Sequence, residues 1–144
     1  MAHYDLTTDQ LAEMACRLRA GDTVSLTGTV YTARDAAHKR IVAAMDAGEQ
    51  LPFELRGAAI YYAGPTPAKP GEGIGSVEPT TSGRMDPFAP RLLDAGLCCM
   101  IGKGVRSEAV QQAMARNGAV YMVAIGGAGA AKAASIKKVE VIAY

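Results

Sequence analysis

Residues 57–90 of the chain read GAAIYYAGPTPAKPGEGIGSVEPTTSGRMDPFAP and decide how it folds. The first seven residues, Gly57–Ala63, are almost wholly apolar, which is typical of a strand buried on both faces. Gly64–Pro90 hold most of the prolines and show almost no apolar periodicity. A connection longer than about 12–15 residues in a compact domain is usually either disordered or part of a binding site. Because its prolines restrict the chain and the Ser/Glu/Lys runs of solvated segments are missing, we predict an ordered anion-binding loop, with disorder as the alternative.

The composition restricts the class of protein. The chain has 144 residues, of which 49% are hydrophobic and 20% charged, and this fits one globular domain. A formal net charge of +1 provides no strong field for nucleic acid or an anionic membrane, so any anionic ligand must be small. We therefore expect a single domain over residues 1–144 that binds neither nucleic acid nor membrane.

The cysteines indicate the compartment. Cys16, Cys98 and Cys99 are odd in number and lack the C-x-x-C spacing of zinc or iron–sulfur sites. Cys98 and Cys99 lie in an apolar run, so we expect buried structural thiols rather than nucleophiles. The sequence contains no disulfide framework, no apolar signal segment and no apolar run of about 18 residues, and we therefore expect a cytoplasmic protein.

Helical and strand patterns alternate before the loop. The capping-box spacing of Thr7 and Gln10 predicts a helix over Thr8–Arg19. Alternating polarity then predicts a strand over Thr23–Tyr31. A second helix, capped by Thr32, follows directly. Its predicted buried face consists of Ala37, Ile41, Ala44 and Met45.

Arg34 lies in the first turn of this second helix. Free backbone N–H groups and the helix dipole favour an anion there, and a guanidinium can bind a carboxylate with two charge-assisted bonds. The alternative is that Arg34 pairs with Asp35 or faces solvent. His38 follows four residues later, and we expect it on the surface or behind ligand-binding residues rather than as a catalyst.

The alternation continues after the loop. Asp86 followed by Pro87 predicts the N-cap and first position of a short helix. The glycines of Gly126–Lys132 match a dinucleotide fingerprint only loosely and fit strand-to-helix packing better. The alternation of strands and helices predicts a layered α/β architecture. The other predicted elements are strands over Leu97–Ile101, Ala119–Ile125 and Ile136–Tyr144, and a helix over Glu108–Arg116 that Ser107 caps and Asn117-Gly118 ends.

Two further cations stand at the ends of predicted elements. Arg84 and the hydroxyls of Thr80–Ser82 lie just before a predicted helix, where N–H groups, hydroxyls and a positive charge combine. Lys103 lies between two glycines after a predicted strand, and this GKG lacks the phosphate-loop pattern. Ligands of α/β folds bind at strand ends. Arg34, Arg84 and Lys103 are therefore predicted to converge on a small dianion such as a dicarboxylate.

Five motifs resemble one family when taken in order. They are GTVYTARDAAHKRI at 28–41, YYAGPTPAKPGE at 61–72, PTTSGRMDPF at 79–88, MIGKG at 100–104 and YMVAIGGAGA at 121–130. Together they closely resemble the carboxy-terminal domain of class I fumarases, which in many prokaryotes is a separate beta subunit, and the beta subunit of L-tartrate dehydratase. The resemblance covers about Gly28 to Tyr144 and implies a swivelling β/β/α domain.

The resemblance also implies a hydro-lyase that adds or removes water on a dicarboxylate. An alpha subunit would carry a [4Fe-4S] cluster whose iron acts as a Lewis acid, and this chain would hold no metal. The two chains would form a hetero-oligomer, and this chain could self-associate when isolated. Arg34 and Arg84 resemble the arginines that hold substrate carboxylates, and Lys103 resembles a further substrate-binding cation. Thr80 resembles the hydroxyl implicated in proton abstraction, helped by an acidic residue of the partner because threonine alone is a poor base.

Two alternative functions stay open. One is a non-catalytic dicarboxylate-binding or regulatory module with the same fold, and Glu78, which stands where family members usually have glycine, favours it. The other is a scaffold subunit. A scaffold predicts no convergence of the three cations.

Overall fold

A computed structural model describes residues 2–63 and 80–123 of the chain. Strands and helices alternate along most of this length, as the sequence pattern predicts. The elements are β1 (His3–Thr7), α1 (Leu11–Met14), β2 (Thr23–Thr27), β3 (Tyr31–Thr32), α2 (Asp35–Asp46), β4 (Ala59–Tyr61), α3 (Ala89–Asp94), β5 (Cys99–Gly102), α4 (Glu108–Asn117) and β6 (Val120–Val123), with 3₁₀ turns at Thr8–Gln10, Ala15–Arg17 and Ser82–Met85.

The strands form two parallel sheets. The larger sheet has the order β3-β4-β5-β6, and its strands all run in one direction. The smaller sheet pairs β1 with β2 in register from His3 opposite Thr23 to Thr7 opposite Thr27. These parallel connections through helices confirm the predicted α/β class. They also bring the carboxyl ends of β3 to β6 to a single edge of the larger sheet.

Both faces of the larger sheet are covered. Along β4 and β5, Ile60 and Met100 belong to one hydrophobic cluster, whereas Ala59 and Cys99 belong to another. Successive strand residues point to opposite faces, so the two clusters lie on the two sides of the sheet. This explains why the run around β4 is apolar throughout. The first cluster includes Ile41 of α2, Leu92 and Leu93 of α3 and Val110 of α4, and the second includes Leu11 of α1 with Leu26 of β2 packed against it.

The amino-terminal part differs from the sequence prediction. The predicted helix over Thr8–Arg19 is wrong in extent, because only four residues are α-helical and 3₁₀ turns flank them. The strand β1 was not predicted, since its pairing with β2 is a tertiary contact that no local pattern marks. The predicted strand over Thr23–Tyr31 is two strands in different sheets. The first of these strands ends before Gly28, whose φ of 130° lies in a region that only glycine adopts readily.

The second helix begins later than predicted. Thr32 is a residue of β3 and cannot cap the helix, whereas Arg34 occupies the N-cap position. Its buried residues are His38, Ile41 and Ala44, so the prediction that His38 could lie on the surface is wrong. The position of His38 on the same helix face as Ile41 and Ala44, at i, i+3 and i+6, accounts for its burial.

Several other predictions are confirmed. Ser107 caps α4, its side chain accepting a hydrogen bond from Val110 N at 3.3 Å. Gly118 ends that helix with φ 64°. Cys98 and Cys99 are buried free thiols. The predictions for Gly64–Pro79 with Glu78, for Gly126–Lys132 and for Ile136–Tyr144 lie outside the described residues. Within 2–63 and 80–123, no helix is long and apolar enough to cross a membrane.

Candidate functional site

The predicted site residues follow three neighbouring strands of the larger sheet. Ala33, just before Arg34, donates its N–H to Tyr61 O at 3.1 Å, which ties the end of β3 to the end of β4. Thr80 donates its N–H to Tyr62 O at 2.7 Å. The backbones that carry Arg34 and Thr80 therefore both attach to the residues that end β4.

Lys103 is attached to the same edge. Ser82 donates its N–H to Lys103 O at 3.0 Å, and Thr81 and Lys103 form a parallel bridge. The segment after the long loop thus continues between the ends of β4 and β5 as a short extension of the sheet. Backbone bonds place Arg34, Thr80 and Lys103 along one edge, as the topology of a parallel sheet predicts.

A chain of hydrogen bonds fixes the backbone beside Lys103. Lys103 N donates to Ser82 Oγ at 3.0 Å, Ser82 Oγ lies 2.8 Å from Tyr121 Oη, and Tyr121 Oη donates to Gly104 O at 2.9 Å. Because the Tyr121 proton goes to a carbonyl, its oxygen must accept the proton of Ser82. The direction of every bond is therefore determined. Ser82 is fully buried, and these hydrogen bonds hold the turn around Gly104 against Tyr121 of β6.

Arg84 connects this edge to α2. Its Nε lies 3.2 Å from Asp35 Oδ2, and the two side chains are 57% and 40% exposed. Asp35 is in the first turn of α2, next to Arg34. The ion pair therefore brings the segment that carries Arg84 to the segment that carries Arg34. Of the two forms of the alternative for Arg34, pairing with Asp35 is not observed, because Asp35 pairs with Arg84, whereas Arg34 is exposed, as the solvent-facing form predicts.

Arg106 is a site residue that the sequence prediction missed. Its side chain is only 2% exposed, and its Nε donates to Asp86 Oδ1 at 2.8 Å. Its Nη2 donates to Tyr62 Oη at 3.2 Å. The guanidinium carbon lies 5.1 Å from the ring centroid of Tyr62 and 4.9 Å from that of Tyr121. No signal near Arg106 in the sequence could reveal these contacts, since the Asp86 carboxylate and both tyrosine rings come from distant segments.

Asp86 corrects a second prediction. It was expected to cap the helix after the loop, but α3 begins at Ala89 with Phe88 at its N-cap. Asp86 instead accepts from Arg106 Nε and, through Oδ2, from Ser107 N at 2.8 Å. Both carboxylate oxygens therefore bind groups at the start of α4, a use that the local Asp-Pro pattern does not indicate.

His38 lies beneath Arg34. Its Nδ1 is 2.9 Å from Arg34 O, and its ring meets the ring of Tyr62 edge to face at 5.4 Å between centroids. A carbonyl only accepts, so Nδ1 carries the proton. Burial lowers the pKa of His38, the bond to Arg34 O opposes this and the nearby Arg106 charge adds to it. Within the described residues Nε2 has no hydrogen-bond partner.

The chemistry of this edge is that of anion binding. It combines the exposed cations Arg34, Arg84 and Lys103 with the half-buried Thr80, on a backbone that strand pairing holds in place. Among residues 2–63 and 80–123, no three His, Cys, Asp or Glu side chains lie close enough together to hold a metal ion. The groups at this edge are thus of the kind that bind and orient anions.

The whole chain matches one family model. The model describes the fumarase C-terminus, and it matches residues 1–144. The anaerobic class I fumarate hydratase of Escherichia coli K12 is 42% identical over 123 residues, which are 84% of this chain and 22% of that protein. The mitochondrial fumarate hydratase 1 of Leishmania major is 44% identical over 119 residues, 81% of this chain and 22% of that protein.

A shorter relative matches over a larger share of its own length. A Methanocaldococcus jannaschii protein bearing the name L(+)-tartrate dehydratase subunit beta is 36% identical over 127 residues, which are 86% of this chain and 65% of that protein. By contrast, the chain spans only about a fifth of the two fumarate hydratases. The matched relatives are thus proteins of two kinds, long hydratases and a separate subunit.

Proposed function

Because the chain belongs to the family of fumarase C-terminal domains, we propose that it is the beta subunit, or the carboxy-terminal module, of a hydro-lyase. The enzyme would add or eliminate water reversibly on a fumarate/malate or tartrate type of dicarboxylate. The observation that carries this proposal is the backbone pairing of the segments with Arg34, Thr80 and Lys103 at one sheet edge, with Arg84 joined to it through Asp35.

The cations would bind the two carboxylates of the substrate. Arg34 and Arg84 each present a planar fork of N–H donors, which suits bidentate contact with a carboxylate. Lys103 presents a compact charge on a backbone that Ser82 and Thr81 hold in place. Two arginines with a lysine suit a short substrate with two negative charges better than a neutral one.

Thr80 would take part in proton transfer. Its backbone is fixed by the 2.7 Å bond to Tyr62 O, so its hydroxyl starts from a defined position at the end of β4. A threonine hydroxyl is a weak base at neutral pH, and an acidic side chain of the partner subunit would have to assist it. Thr80 alone would then be inactive.

The [4Fe-4S] cluster that the family implies does not fit the described residues of this chain. Cys98 and Cys99 are buried, and within the described residues no three His, Cys, Asp or Glu side chains lie close enough together to form the ligand set that a cluster requires. Cys16 is exposed at the end of the chain's first helical segment, without a second thiol beside it in the described residues. We propose that an alpha subunit carries the cluster and assembles with this chain in a reducing cytoplasm.

Anaerobic co-expression with a candidate alpha subunit tests the proposal. The purified complex should convert fumarate to malate or dehydrate tartrate, whereas this chain alone should convert neither. Dehydration by the chain alone would contradict the division of labour. A complex that binds dicarboxylates without turning any over would contradict the enzyme assignment and favour the non-catalytic binding module.

A further inference from the structure

We propose that Arg106 is a positioning residue that sets the relative placement of two segments at the strand ends, namely the segment that carries both Thr80 and Arg84 and the turn that carries Lys103. This inference rests on the proposed function for the identity of the ligand. It adds a residue that contacts no substrate itself and acts through the groups around it.

The contacts of Arg106 reach a different segment in each direction. Asp86 lies two residues after Arg84, and its carboxylate receives Nε at 2.8 Å. Tyr62, whose hydroxyl receives Nη2 at 3.2 Å, holds the Thr80 N–H through its own carbonyl. One guanidinium therefore holds the segment that carries Thr80 and Arg84 near both of its ends, directly at Asp86 and through Tyr62 at Thr80.

The third direction leads to Lys103. The guanidinium lies between the rings of Tyr62 and Tyr121, 5.1 Å and 4.9 Å from their centroids. Tyr121 in turn contacts Ser82, whose hydroxyl accepts from Lys103 N, and Gly104, which follows Lys103 in sequence. A displacement of the guanidinium would move Tyr121 and, with it, the turn that carries Lys103.

The ion pair of Arg106 is shielded from solvent. The Arg106 side chain is 2% exposed and the Asp86 side chain 16%, in contrast to the half-exposed pairs elsewhere in the described residues. Burial raises the pKa of Tyr62 to about 12, so its hydroxyl remains neutral and accepts the hydrogen bond from Arg106. A buried guanidinium with several partners keeps its position, because water cannot reach it to replace a partner that moves away.

Lysine cannot reproduce this arrangement. Its ammonium could pair with Asp86, but it has no flat surface to lie between two rings and no second donor at the fixed spacing of a guanidinium. Arg106→Lys therefore keeps the charge while releasing Tyr62 and Tyr121. A 1 Å misplacement of binding groups can reduce turnover about 100-fold, so the geometric change is measurable in the active complex.

Steady-state kinetics of the complex test the inference. Arg106→Lys should reduce kcat about 100-fold and weaken dicarboxylate binding about 10-fold at a temperature where the complex remains folded. The matched control is Arg116→Lys, because Arg116 makes two hydrogen bonds to Asp94 in a half-exposed pair away from the strand ends. It should leave both constants unchanged. Wild-type kcat in Arg106→Lys would overturn the inference.

A milder variant covers the case in which Arg106→Lys fails to fold. Tyr62→Phe removes only the hydroxyl that Arg106 Nη2 contacts and keeps the ring. We expect a reduction in kcat of about 3- to 10-fold with little change in Tm. Unchanged kinetics in this variant would count against Arg106 as a positioning residue.

Amide spectra of the isolated 15.0 kDa chain separate this inference from the proposed function. If wild-type complex neither binds nor converts a dicarboxylate, the proposed function fails. The positioning inference then predicts that Arg106→Lys shifts the amide signals of Thr80, Arg84 and Lys103 and that Arg116→Lys does not. Unshifted signals at all three residues would overturn it.

Discussion

Replacing Arg84 with alanine should separate ligand binding from folding stability. Arg84 Nε lies 3.2 Å from Asp35 Oδ2, and the two side chains are 57% and 40% exposed. Exposed ion pairs contribute about 0–1 kcal/mol to stability, because water screens the charges. Arg84→Ala should therefore lower the free energy of unfolding by less than about 1 kcal/mol.

The effect on ligand binding should be larger. In the proposed complex a substrate carboxylate meets Arg84 in a site closed by the partner subunit, and removing one member of a desolvated charge pair costs about 2–5 kcal/mol. Since each 1.4 kcal/mol corresponds to about a tenfold change in Kd, the Kd for a dicarboxylate should rise at least about 30-fold. The binding loss thus exceeds the stability loss.

Calorimetric titration with malate or tartrate and urea unfolding measure the two quantities. Arg91→Ala is the matched control, because Arg91 Nη2 on α3 lies 2.7 Å from Asp46 Oδ1 on α2 in a comparably exposed pair. It should change stability as little as Arg84→Ala and leave Kd unaltered. The reasoning is refuted if both variants have the wild-type Kd, or if Arg84→Ala loses more than about 3 kcal/mol of stability.

The remaining predictions concern four buried or half-buried positions. Gly102→Ala should cost about 1–3 kcal/mol in urea unfolding, because a Cβ there would clash with the Ser82 side chain and lie 2.9 Å from Tyr62 Cδ2. Ser82→Ala should cost about 1–3 kcal/mol in the same assay, because Lys103 N loses its acceptor and Tyr121 Oη loses one of its two partners. Because the pKa of His38 is lowered in the folded state, the free energy of unfolding keeps its full value above the ordinary pKa of 6.5 and falls as the pH drops from there through the folded-state pKa. His38→Gln should remove this part of the acid dependence, which unfolding at several pH values measures. Thr80→Ala should lower kcat of the complex more than it weakens binding, and equal kcat would remove Thr80 from the mechanism.

The α/β class and several elements could be predicted because their signals are local. The apolar run around β4, the Ser107 cap and the Gly118 ending of α4 depend on residues close in sequence. The position of Arg34 and Lys103 at strand ends followed from the same patterns. Parallel topology then brings such ends together without further information.

The unpredicted features depend on contacts between distant segments. The strand β1 forms only because β2 is available to pair with it. Arg106 is buried by rings and a carboxylate that come from positions 20 to 44 residues earlier and from β6, and nothing in its neighbourhood distinguishes it from a surface arginine. His38 is an exception, because it lies three residues before Ile41 and six before Ala44, both predicted to be buried, so helix periodicity alone could have revealed its burial.

The charges at the strand ends match the charge of the proposed ligand. Of the four cations in this region, Arg84 is paired with Asp35 and Arg106 with Asp86, whereas neither Arg34 nor Lys103 has a carboxylate partner among the described residues. The ion pairs therefore leave an excess of two positive charges among these groups, and charges of the same sign at neighbouring strand ends repel one another. A bound dianion would balance the excess, while a monoanion would leave one charge uncompensated. This charge balance agrees with the dicarboxylate that we propose as the ligand.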